Sequence, residues 1–437
     1  MTASNSSPRY LLDLWLLWGA ALILRIIYFV LAIRDVGLIS ACQYSPDSTF
    51  YQSIADSFLS GQWHASTSLL KVGPGYGMML AAVKAIFGPG LIAPVALNIL
   101  LGSLAPVLIY LIAQSLFENR LVSLVAGAIS AVSLTSVALS SQILTDQPFF
   151  TIHAAAILAF TNGIRTARFQ WFLAAGALGA WGAYVRSAGE PWLYLFAALI
   201  LLAPRPPTFC SRRHFVRTAS VTVLIMLLMV ASWSWRNRQV HGLYTFGTNG
   251  VMSLRSYLLP LAVGSHTPGS NMSQLGLTWS IEDGDNSLPP KEAYGLARQR
   301  VIRVLREHPG WMFDAYFAAL KDNIRNINIF LYQQIPSLRW FTILEDRVMV
   351  TWLGYLIVAA SFIGLVIMIA RRQYLAAMLL GTTYAYFTFI AGFSFSQGSR
   401  LHYPAEMAWS ILTAYFVVST FRGIARLIRR SRSANQY

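Results

Sequence analysis

The chain has 437 residues, of which 56% are hydrophobic and only 11% are charged. A soluble chain carries about 25% charged residues, so this composition excludes an ordinary soluble enzyme and a disordered protein. Two cysteines cannot form the framework of a small secreted disulfide protein. The composition therefore predicts a polytopic membrane protein.

The chain is strongly basic, with 33 Lys and Arg residues against 17 Asp and Glu residues and a net charge of +16. Such a balance is also seen in nucleic-acid-binding proteins. In a membrane protein it is explained by basic loops on the cytoplasmic side and by contacts with anionic lipid headgroups. We therefore expect membrane lipids, and no nucleic acid, among its partners.

Apolar segments recur along the whole chain, and a helix needs about 20 largely apolar residues to cross the hydrocarbon core. Ten segments predict membrane-spanning helices, although the fifth and sixth are short. They are 11–33, 91–116, 121–144, 148–164, 171–184, 191–203, 216–235, 348–370, 374–393 and 403–421. The predicted fold is an all-α bundle of about ten transmembrane helices.

The stretch 75–87 is also apolar, but it follows a Gly-Pro pair and carries Lys84, which indicates an interfacial helix. With ten spans and a cytoplasmic N-terminus, most basic residues of the short loops lie on the cytoplasmic side of the membrane. Counting 75–87 as a span would put the basic loops 165–168, 205–217 and 371–372 outside. The positive-inside rule therefore selects the ten-span topology.

This topology divides the chain into three parts. Residues 1–235 form a first membrane module, which includes a first outer loop at 35–90. Residues 236–347 form a small helical cap outside the membrane, and 348–437 supply the last spans and a basic cytoplasmic tail. Such a tail is typical of an anchor on the anionic inner leaflet.

Ionisable residues gather at the outer ends of the predicted spans, where their cost near a membrane makes them candidates for function. They come from distant parts of the chain but share one membrane face. They are Asp35, Asp47, Asp56, Lys71, Asp146, Arg186, Glu190, Arg400, His402 and Glu406. Apart from Arg25, the middle of the spans is nearly free of charge. The clustering predicts a single site at the outer face.

Three of these candidates also have a simpler structural explanation. Asp47 begins a predicted amphipathic helix over 47–60. It is an N-cap of this helix, a carboxylate that the helix holds at the bilayer surface, or both. Lys71 lies just before Gly-Pro-Gly, where it binds a phosphate or reaches lipid headgroups. Asp146, in Thr-Asp-Gln-Pro, favours a helix N-terminus.

Arg186 and Arg400 lie at outer span ends, where arginine binds lipid headgroups or grips a phosphate with two hydrogen bonds. We expect Glu190 and Glu406 to pair with these arginines. The sequence has no His-Glu-x-x-His motif and no cysteine pairs, so a dedicated zinc site is not expected.

Short motifs follow one another in order along the chain. They are Asp47 with Tyr51, Ala55-Asp-Ser-Phe-Leu-Ser-Gly61, Lys71 with Pro74-Gly-Tyr76, Phe87-Gly88, Asp146-Gln-Pro148, Arg186, Trp233-Ser-Trp-Arg-Asn237 and Arg400-Leu-His-Tyr-Pro404. In this order the chain resembles the GT-C membrane glycosyltransferases. The resemblance is closest to the protein O-mannosyltransferases and the aminoarabinose transferases, and it covers nearly the whole chain.

The resemblance implies a GT-C fold and a polyprenyl-phosphate-linked sugar as donor, with inverting transfer to an acceptor hydroxyl at the outer face. It implies Asp47 as the base, with Asp146 sharing that role or orienting the acceptor and Asp35 as a third candidate. The implied substrate-binding residues are Lys71, Arg186 and Arg400 for the phosphate, and Tyr51, His402 and Tyr403 for the rest of the donor or the acceptor.

The resemblance does not identify the transferred sugar. It also leaves three classes of acceptor open, namely a lipid, a glycan and a protein. No cofactor and no obligatory metal are expected, because cationic side chains can stabilise the leaving phosphate. We expect a bacterial inner-membrane protein with both termini in the cytoplasm. The alternatives are a transporter or flippase, a ligase that moves a whole glycan from a lipid diphosphate, and a non-catalytic scaffold. Transport predicts charges throughout the membrane depth, and a scaffold leaves the charged cluster unexplained.

Overall fold

The computed structural model describes residues 8–267, 288–325, 335–338, 350–394 and 400–434, and within these ranges the regular elements are helices. The first helices are α1 Pro8–Cys42, α2 Pro46–Leu59, α3 Ser68–Lys71, α4 Gly75–Phe87, α5 Ile92–Phe117, α6 Arg120–Ala131, α7 Leu134–Ser140, α8 Asp146–Thr166, α9 Phe169–Val185, α10 Trp192–Leu202 and α11 Arg212–His241. The later ones are α12 Asn249–Ser253, α13 Leu259–His266, α14 Pro290–Glu307, α15 Pro309–Arg325, α16 Val350–Ala370, α17 Tyr374–Ala391 and α18 Glu406–Ala434.

The prediction of an all-helical, multi-pass membrane protein is confirmed. In the described residues, six helices are long and apolar enough to cross a membrane: α1, α5, α11, α16, α17 and α18. The pair α6 and α7, bent by 52° at a short break, is a seventh candidate. Each of the ten predicted segments coincides with a helix or with this bent pair, but α8, α9 and α10 are not among the candidates.

Three of the ten predicted spans are not among the seven candidates in the described residues, and this difference has a physical reason. α8 is buried along most of its length and carries Gln147, Thr151 and His153 on buried positions, so it faces protein rather than lipid. α9 has 17 residues and α10 has 11. At 1.5 Å per residue these helices measure about 26 and 17 Å, less than a hydrocarbon core of about 30 Å.

Close packing of α8, α9 and α11 brings the site-bearing helix ends together. α8 packs against α5 and α9, and α9 packs against α11. A Cβ atom at Gly176 of α9 would lie 2.8 Å from the carbonyl oxygen of Thr222 on α11, so only glycine fits this contact. Because α8 and α9 are joined by a tight turn, the start of α8 and the end of α9 lie at the same end of the bundle.

The first outer loop folds as two packed helices. Tyr51 and Ile54 of α2 are buried with Tyr76 of α4 in one apolar cluster, and Lys84 Nζ donates to Asp56 Oδ1 at 2.7 Å. α4 occupies the stretch predicted as an interfacial helix. Its 13 residues give a length of about 20 Å, too short to span a bilayer.

The cap contains α12 to α15. α15 packs against α13 and against α17, and Asn323 of α15 donates to a backbone carbonyl at the end of α17 at 2.7 Å. Parts of the predicted cap lie outside the described residues, namely 268–287, 326–334 and 339–349. The division of the chain into three parts stays a prediction.

Candidate active site

Four segments that are distant in the sequence meet at one end of the bundle. α2 follows the end of α1, α8 begins there, α9 ends there, and a short turn precedes α18. Each segment contributes one charged side chain to a single cluster. The members of this charged cluster are Asp47, Asp146, Arg186 and Arg400.

Asp146 is the centre of the charged cluster. It is the first residue of α8 and is completely buried. Arg400 Nε donates to Asp146 Oδ2 at 2.9 Å, and Arg186 Nη1 donates to Asp146 Oδ1. A buried carboxylate is strongly destabilising without such partners, and the start of a helix further favours its negative charge. Both oxygens of Asp146 are therefore engaged by guanidinium groups.

Asp47 is bound less completely. Ser45 is the N-cap of α2, and Asp47 lies in the first turn of this helix. The carboxylate of Asp47 is therefore not needed as the cap. Arg400 Nη2 donates to Asp47 Oδ2 at 2.8 Å. Within the described part of the chain the other oxygen has no hydrogen-bond partner, and the side chain is 49% exposed. Asp47 therefore offers one accessible carboxylate oxygen.

Arg400 joins the two carboxylates through different nitrogens of one guanidinium group, and its side chain is 13% exposed. Burial opposes the charge on Arg400, but Asp146 and Asp47 outweigh this effect and raise its pKa above the usual value. The planar fork of arginine suits this bridging geometry, which a lysine ammonium does not reproduce.

Tyr51 lies next to the charged cluster on α2. Its hydroxyl is hydrogen-bonded to Thr145, and it interacts electrostatically with the carboxylate of Asp47. Its ring packs edge-to-face on Tyr76, with centroids 5.2 Å apart. Burial raises the pKa of the Tyr51 phenol, with the negative charge nearby as a second cause. The phenol therefore stays protonated and can donate a hydrogen bond.

Lys71 is exposed at the end of α3 and makes no ion pair with any described residue. The glycine-rich segment after it packs closely on the end of α9, where a Cβ atom at Gly75 would lie 2.8 Å from the backbone of Tyr184. This contact places the Lys71 segment beside the chain that leads to Arg186. The ammonium group remains available for a ligand.

His402 and Tyr403 turn away from the charged cluster. His402 is buried, and its Nε2 lies 3.0 Å from Thr388 Oγ1. Burial lowers the pKa of His402 to about 4, so the imidazole is neutral near pH 7. The buried Tyr403 hydroxyl donates to Gln147 Oε1 at 2.8 Å. The substrate-binding role of both residues stays a prediction.

The two glutamates do not pair with the arginines as predicted. Glu406 is buried and accepts hydrogen bonds from Ser130 and Ser133 at 2.9 and 2.5 Å. Glu190 forms no ion pair with any described residue. The serines at the break between α6 and α7 satisfy Glu406 instead, and Asp146 occupies the position between the arginines.

Asp35 lies outside the charged cluster. Its Oδ1 accepts from Arg34 Nε at 3.0 Å, and its Oδ2 accepts from the backbone N–H of Ser337 at 2.8 Å. The side chain is 8% exposed. Asp35 thus fastens the end of α1 to the segment 335–338, and this geometry favours Asp47 or Asp146 over Asp35 as the base.

Tyr257 is not among the residues predicted from the sequence, and the cap brings it near the charged cluster. Tyr257 as a whole residue is 44% exposed, and it interacts electrostatically with Asp47 and Arg400. Burial is the main cause that raises its pKa. Tyr257 lies in a π-helical turn, Leu254–Leu258, a feature that is frequent at functional sites. The sequence has no clear signal for such a turn.

The described residues include no group of three or more His, Cys, Asp or Glu side chains that could hold a metal ion. The charged groups of the cluster are instead two carboxylates and two guanidinium groups, with Lys71 on a neighbouring segment. The expectation that the reaction needs no metal and no cofactor stays a prediction.

Residues 71–235 match the family model described as dolichyl-phosphate-mannose-protein mannosyltransferase. The matched segment contains Lys71, Asp146 and Arg186. A search of curated proteins finds no match.

Among solved structures, the chain is similar to the archaeal oligosaccharyltransferase AglB from Archaeoglobus fulgidus, in complex with an inhibitory peptide and a dolichol-phosphate. The identity is 12% and the TM-score is 0.50, and the match covers 95% of this chain and 52% of that one. This chain has the GT-C fold. The GT-C fold that the motifs led us to expect is thus confirmed. The chain spans about half the length of AglB.

ArnT from Cupriavidus metallidurans, bound to undecaprenyl phosphate, is also similar. It is 16% identical, with a TM-score of 0.40, and the match covers 91% of this chain and 76% of ArnT.

Proposed function

We propose that this GT-C protein is an inverting glycosyltransferase that moves a sugar from a polyprenyl-phosphate-linked donor to an acceptor hydroxyl. The observation that carries the proposal is the convergence of Asp47, Asp146, Arg186 and Arg400 in one cluster at the end of a membrane bundle. This arrangement combines the two groups that the reaction needs, namely a base and cations for a leaving phosphate.

The proposed base is Asp47. It takes the proton of the acceptor hydroxyl while the acceptor oxygen forms a bond to the anomeric carbon of the sugar. The bond between that carbon and the phosphate oxygen breaks, and the polyprenyl phosphate leaves with the electron pair. Attack opposite the leaving phosphate inverts the anomeric centre. Asp47 fits this role because it is half-exposed and one of its oxygens is accessible.

Asp146 is better suited to holding the arginines than to accepting a proton. Both of its oxygens already accept from guanidinium groups, and it is fully buried. An acceptor hydroxyl would have to displace one of these charge-assisted bonds to reach it. We infer that Asp146 fixes Arg186 and Arg400 in the orientation that the phosphate requires.

The leaving phosphate would be stabilised by three cations. Arg186 and Arg400 are preorganised by Asp146, so little reorganisation is needed as charge develops on the phosphate oxygens. Lys71, exposed on the neighbouring segment, would add a mobile point charge. Positively charged side chains would thus serve in place of a metal ion.

The positive-inside rule supports an orientation in which the charged cluster faces the non-cytoplasmic compartment, with both termini in the cytoplasm. In a bacterium this is the outer face of the inner membrane. A donor with its polyprenyl tail in the bilayer would present its sugar phosphate at this level. Lipid, glycan and protein hydroxyls all suit the proposed chemistry as acceptors.

The test is transfer by the purified protein in lipid vesicles. Polyprenyl-phosphate monosaccharides with a labelled sugar are presented with candidate acceptors, and the product is identified by mass spectrometry and by the anomeric configuration. We expect a glycosylated acceptor of inverted configuration and free polyprenyl phosphate in equal amounts. Transfer from a lipid diphosphate alone would favour the ligase, and movement of the donor across the vesicle without product would favour the flippase.

A further inference from the structure

A second polar layer lies directly beneath the charged cluster. Its central member is Arg25, which is completely buried near the middle of α1. Arg25 Nη2 donates to Ser136 Oγ at 2.6 Å, and Nε donates to Ser140 Oγ at 3.1 Å. Nη1 donates to the carbonyl of Ala21 at 2.9 Å. α1 is thereby joined to α7, the short helix that precedes α8.

From Ser136 the hydrogen bonds continue through Tyr403 to Gln147. The Ser136 hydroxyl, which accepts from Arg25, lies 2.8 Å from the Tyr403 hydroxyl and can donate to it. The Tyr403 hydroxyl in turn donates to Gln147 Oε1 at 2.8 Å. Consecutive hydrogen bonds of this kind polarise one another and strengthen the chain. We call Arg25, Ser136, Ser140, Gln147 and Tyr403 the arginine layer.

The arginine layer contacts the same two chain segments that carry the charged cluster. Gln147 directly follows Asp146, and Tyr403 lies three residues after Arg400. Each segment therefore has one residue in the charged cluster and a second residue in the arginine layer. The bond between Tyr403 and Gln147 and the bond between Arg400 and Asp146 both connect these two segments, so the segments are joined twice.

The packing around Arg25 leaves no room for a side chain at position 102 of α5. A Cβ atom at Gly102 of α5 would lie 2.5 Å from Ser140 Oγ, 2.8 Å from Arg25 Nε and 3.0 Å from Gln147 Cδ. The glycine therefore makes room for the arginine layer. Any larger residue at this position would displace at least one of these side chains.

A buried charge in a membrane span is expensive even when it is hydrogen-bonded, and the three bonds above are made to two serine hydroxyls and a backbone carbonyl. Glu406 interacts with Arg25 electrostatically, while its own hydrogen bonds go to Ser130 and Ser133. An apolar residue would stabilise this part of the bundle at lower cost. A role in supporting the charged cluster would explain why a charged residue stands at position 25.

We propose that Arg25 is a positioning residue, which acts through Ser136, Tyr403 and Gln147 to fix Asp146 and Arg400 relative to each other. The inference rests on the proposed function, because it assigns the layer to the alignment of the groups that would hold the leaving phosphate. Misplacement of such groups by about 1 Å lowers turnover about 100-fold. Arg25 itself does not reach the substrate.

The first experiment measures kcat and KM for Arg25→Gln, Arg25→Lys and Gly102→Ala in vesicles. We expect Arg25→Gln to lower kcat about 100-fold, with a smaller change in the KM for donor. Arg25→Lys should keep part of the activity, because the charge remains while the fork to two serines is lost. Gly102→Ala should lower kcat although no charge changes.

Arg120→Gln is the matched control, because Arg120 also binds a buried partner, with bonds of 2.6 and 2.7 Å to Asp13. It should lower the unfolding midpoint but leave kcat unchanged. Should Arg25→Gln fail to fold, Ser136→Ala is the second variant. It removes the hydroxyl that links Arg25 to Tyr403, while Arg25 itself is kept. Wild-type kcat in folded Ser136→Ala and Gly102→Ala variants would overturn the proposal.

A second experiment needs no activity and therefore separates this inference from the proposed function. Unfolding midpoints are measured for Arg25→Gln, Asp146→Asn and the double variant. We expect the two effects to be less than additive, because both substitutions loosen the same pair of segments. Arg120→Gln with Asp146→Asn should be additive. Full additivity of Arg25→Gln with Asp146→Asn would contradict the positioning role even if transfer is observed.

Discussion

Arg400 and Asp146 lie 254 residues apart in the sequence, and their side chains meet at 2.9 Å. This contact ties the turn before the last helix to the start of α8. Since residues 71–235 alone match the mannosyltransferase family model, Arg400 comes from outside the matched segment. The charged cluster is therefore completed by a part of the chain that the family match does not cover.

We predict that Asp47→Asn abolishes transfer while the protein stays folded. The amide keeps the size of the side chain but cannot accept the proton of the acceptor hydroxyl, so kcat should fall by at least about 100-fold. The measurement is transfer of labelled sugar in vesicles, together with the unfolding midpoint.

Asp56→Asn is the matched control for this variant. Asp56 lies on the same helix α2, its side chain is 62% exposed, and it pairs with Lys84 rather than with an arginine of the cluster. It should retain near-normal kcat. Full activity of Asp47→Asn would move the base to Asp146 or Asp35.

Asp146→Asn should destabilise the protein more than Asp47→Asn does. Breaking a buried ion pair costs about 3–5 kcal/mol. Among the described residues, Asp146→Asn leaves Arg186 without an ion-pair partner and leaves Arg400 with Asp47 alone. An exposed ion pair contributes only about 0–1 kcal/mol, and the Asp47 side chain is half-exposed. Reversible unfolding in detergent, compared between the two variants, measures the difference. Equal destabilisation would argue against Asp146 as the structural centre of the cluster.

Lys71→Gln should weaken donor binding without lowering stability. Lys71 is exposed and makes no ion pair with a described residue, so its loss leaves no buried group unsatisfied. A hydrogen bond to a charged phosphate contributes about 1.5–3 kcal/mol, which corresponds to about a 10- to 100-fold rise in the KM for donor. Steady-state kinetics over a range of donor concentrations provides the test.

Lys84→Gln is the control for Lys71→Gln, because Lys84 is buried in a pair with Asp56. It should lower the unfolding midpoint and leave the donor KM unchanged. If both lysine variants bind donor as the wild type does, the phosphate is held by the arginines alone.

His402 should make stability depend on pH below neutrality. Burial lowers its pKa from 6.5 to about 4, so between these values the unfolded chain binds a proton that the folded chain does not. Stability from the neutral imidazole is therefore complete above pH 6.5 and falls as the pH drops towards 4. Unfolding midpoints of the wild type and His402→Gln, measured from pH 4.5 to 7.5, test this. A constant difference between the two proteins across this range would contradict it.

The sequence located all four members of the charged cluster, because ionisable residues are costly near a membrane and stand out beside long apolar segments. It did not reveal the directions of His402, Tyr403 and Glu406, which follow Arg400 closely but point into the bundle. Neighbouring residues in a turn face different sides, and only packing decides which side is the site. The sequence also placed a helix in each of the ten predicted segments. Three of them, α8, α9 and α10, are not among the membrane-spanning candidates, because apolar composition does not distinguish a helix that faces lipid from one that faces protein.

The amino-acid sequence by itself determined that the protein is helical and embedded in a membrane, and it determined the face on which its acidic and basic residues gather. These properties follow from local composition and periodicity, which need no knowledge of distant contacts. Only the tertiary structure decided that Arg186 and Arg400 occupy both oxygens of Asp146 while Asp47 keeps one accessible. Hydrogen bonds form over about 3 Å, and the packing of helices far apart in the chain sets distances on that scale.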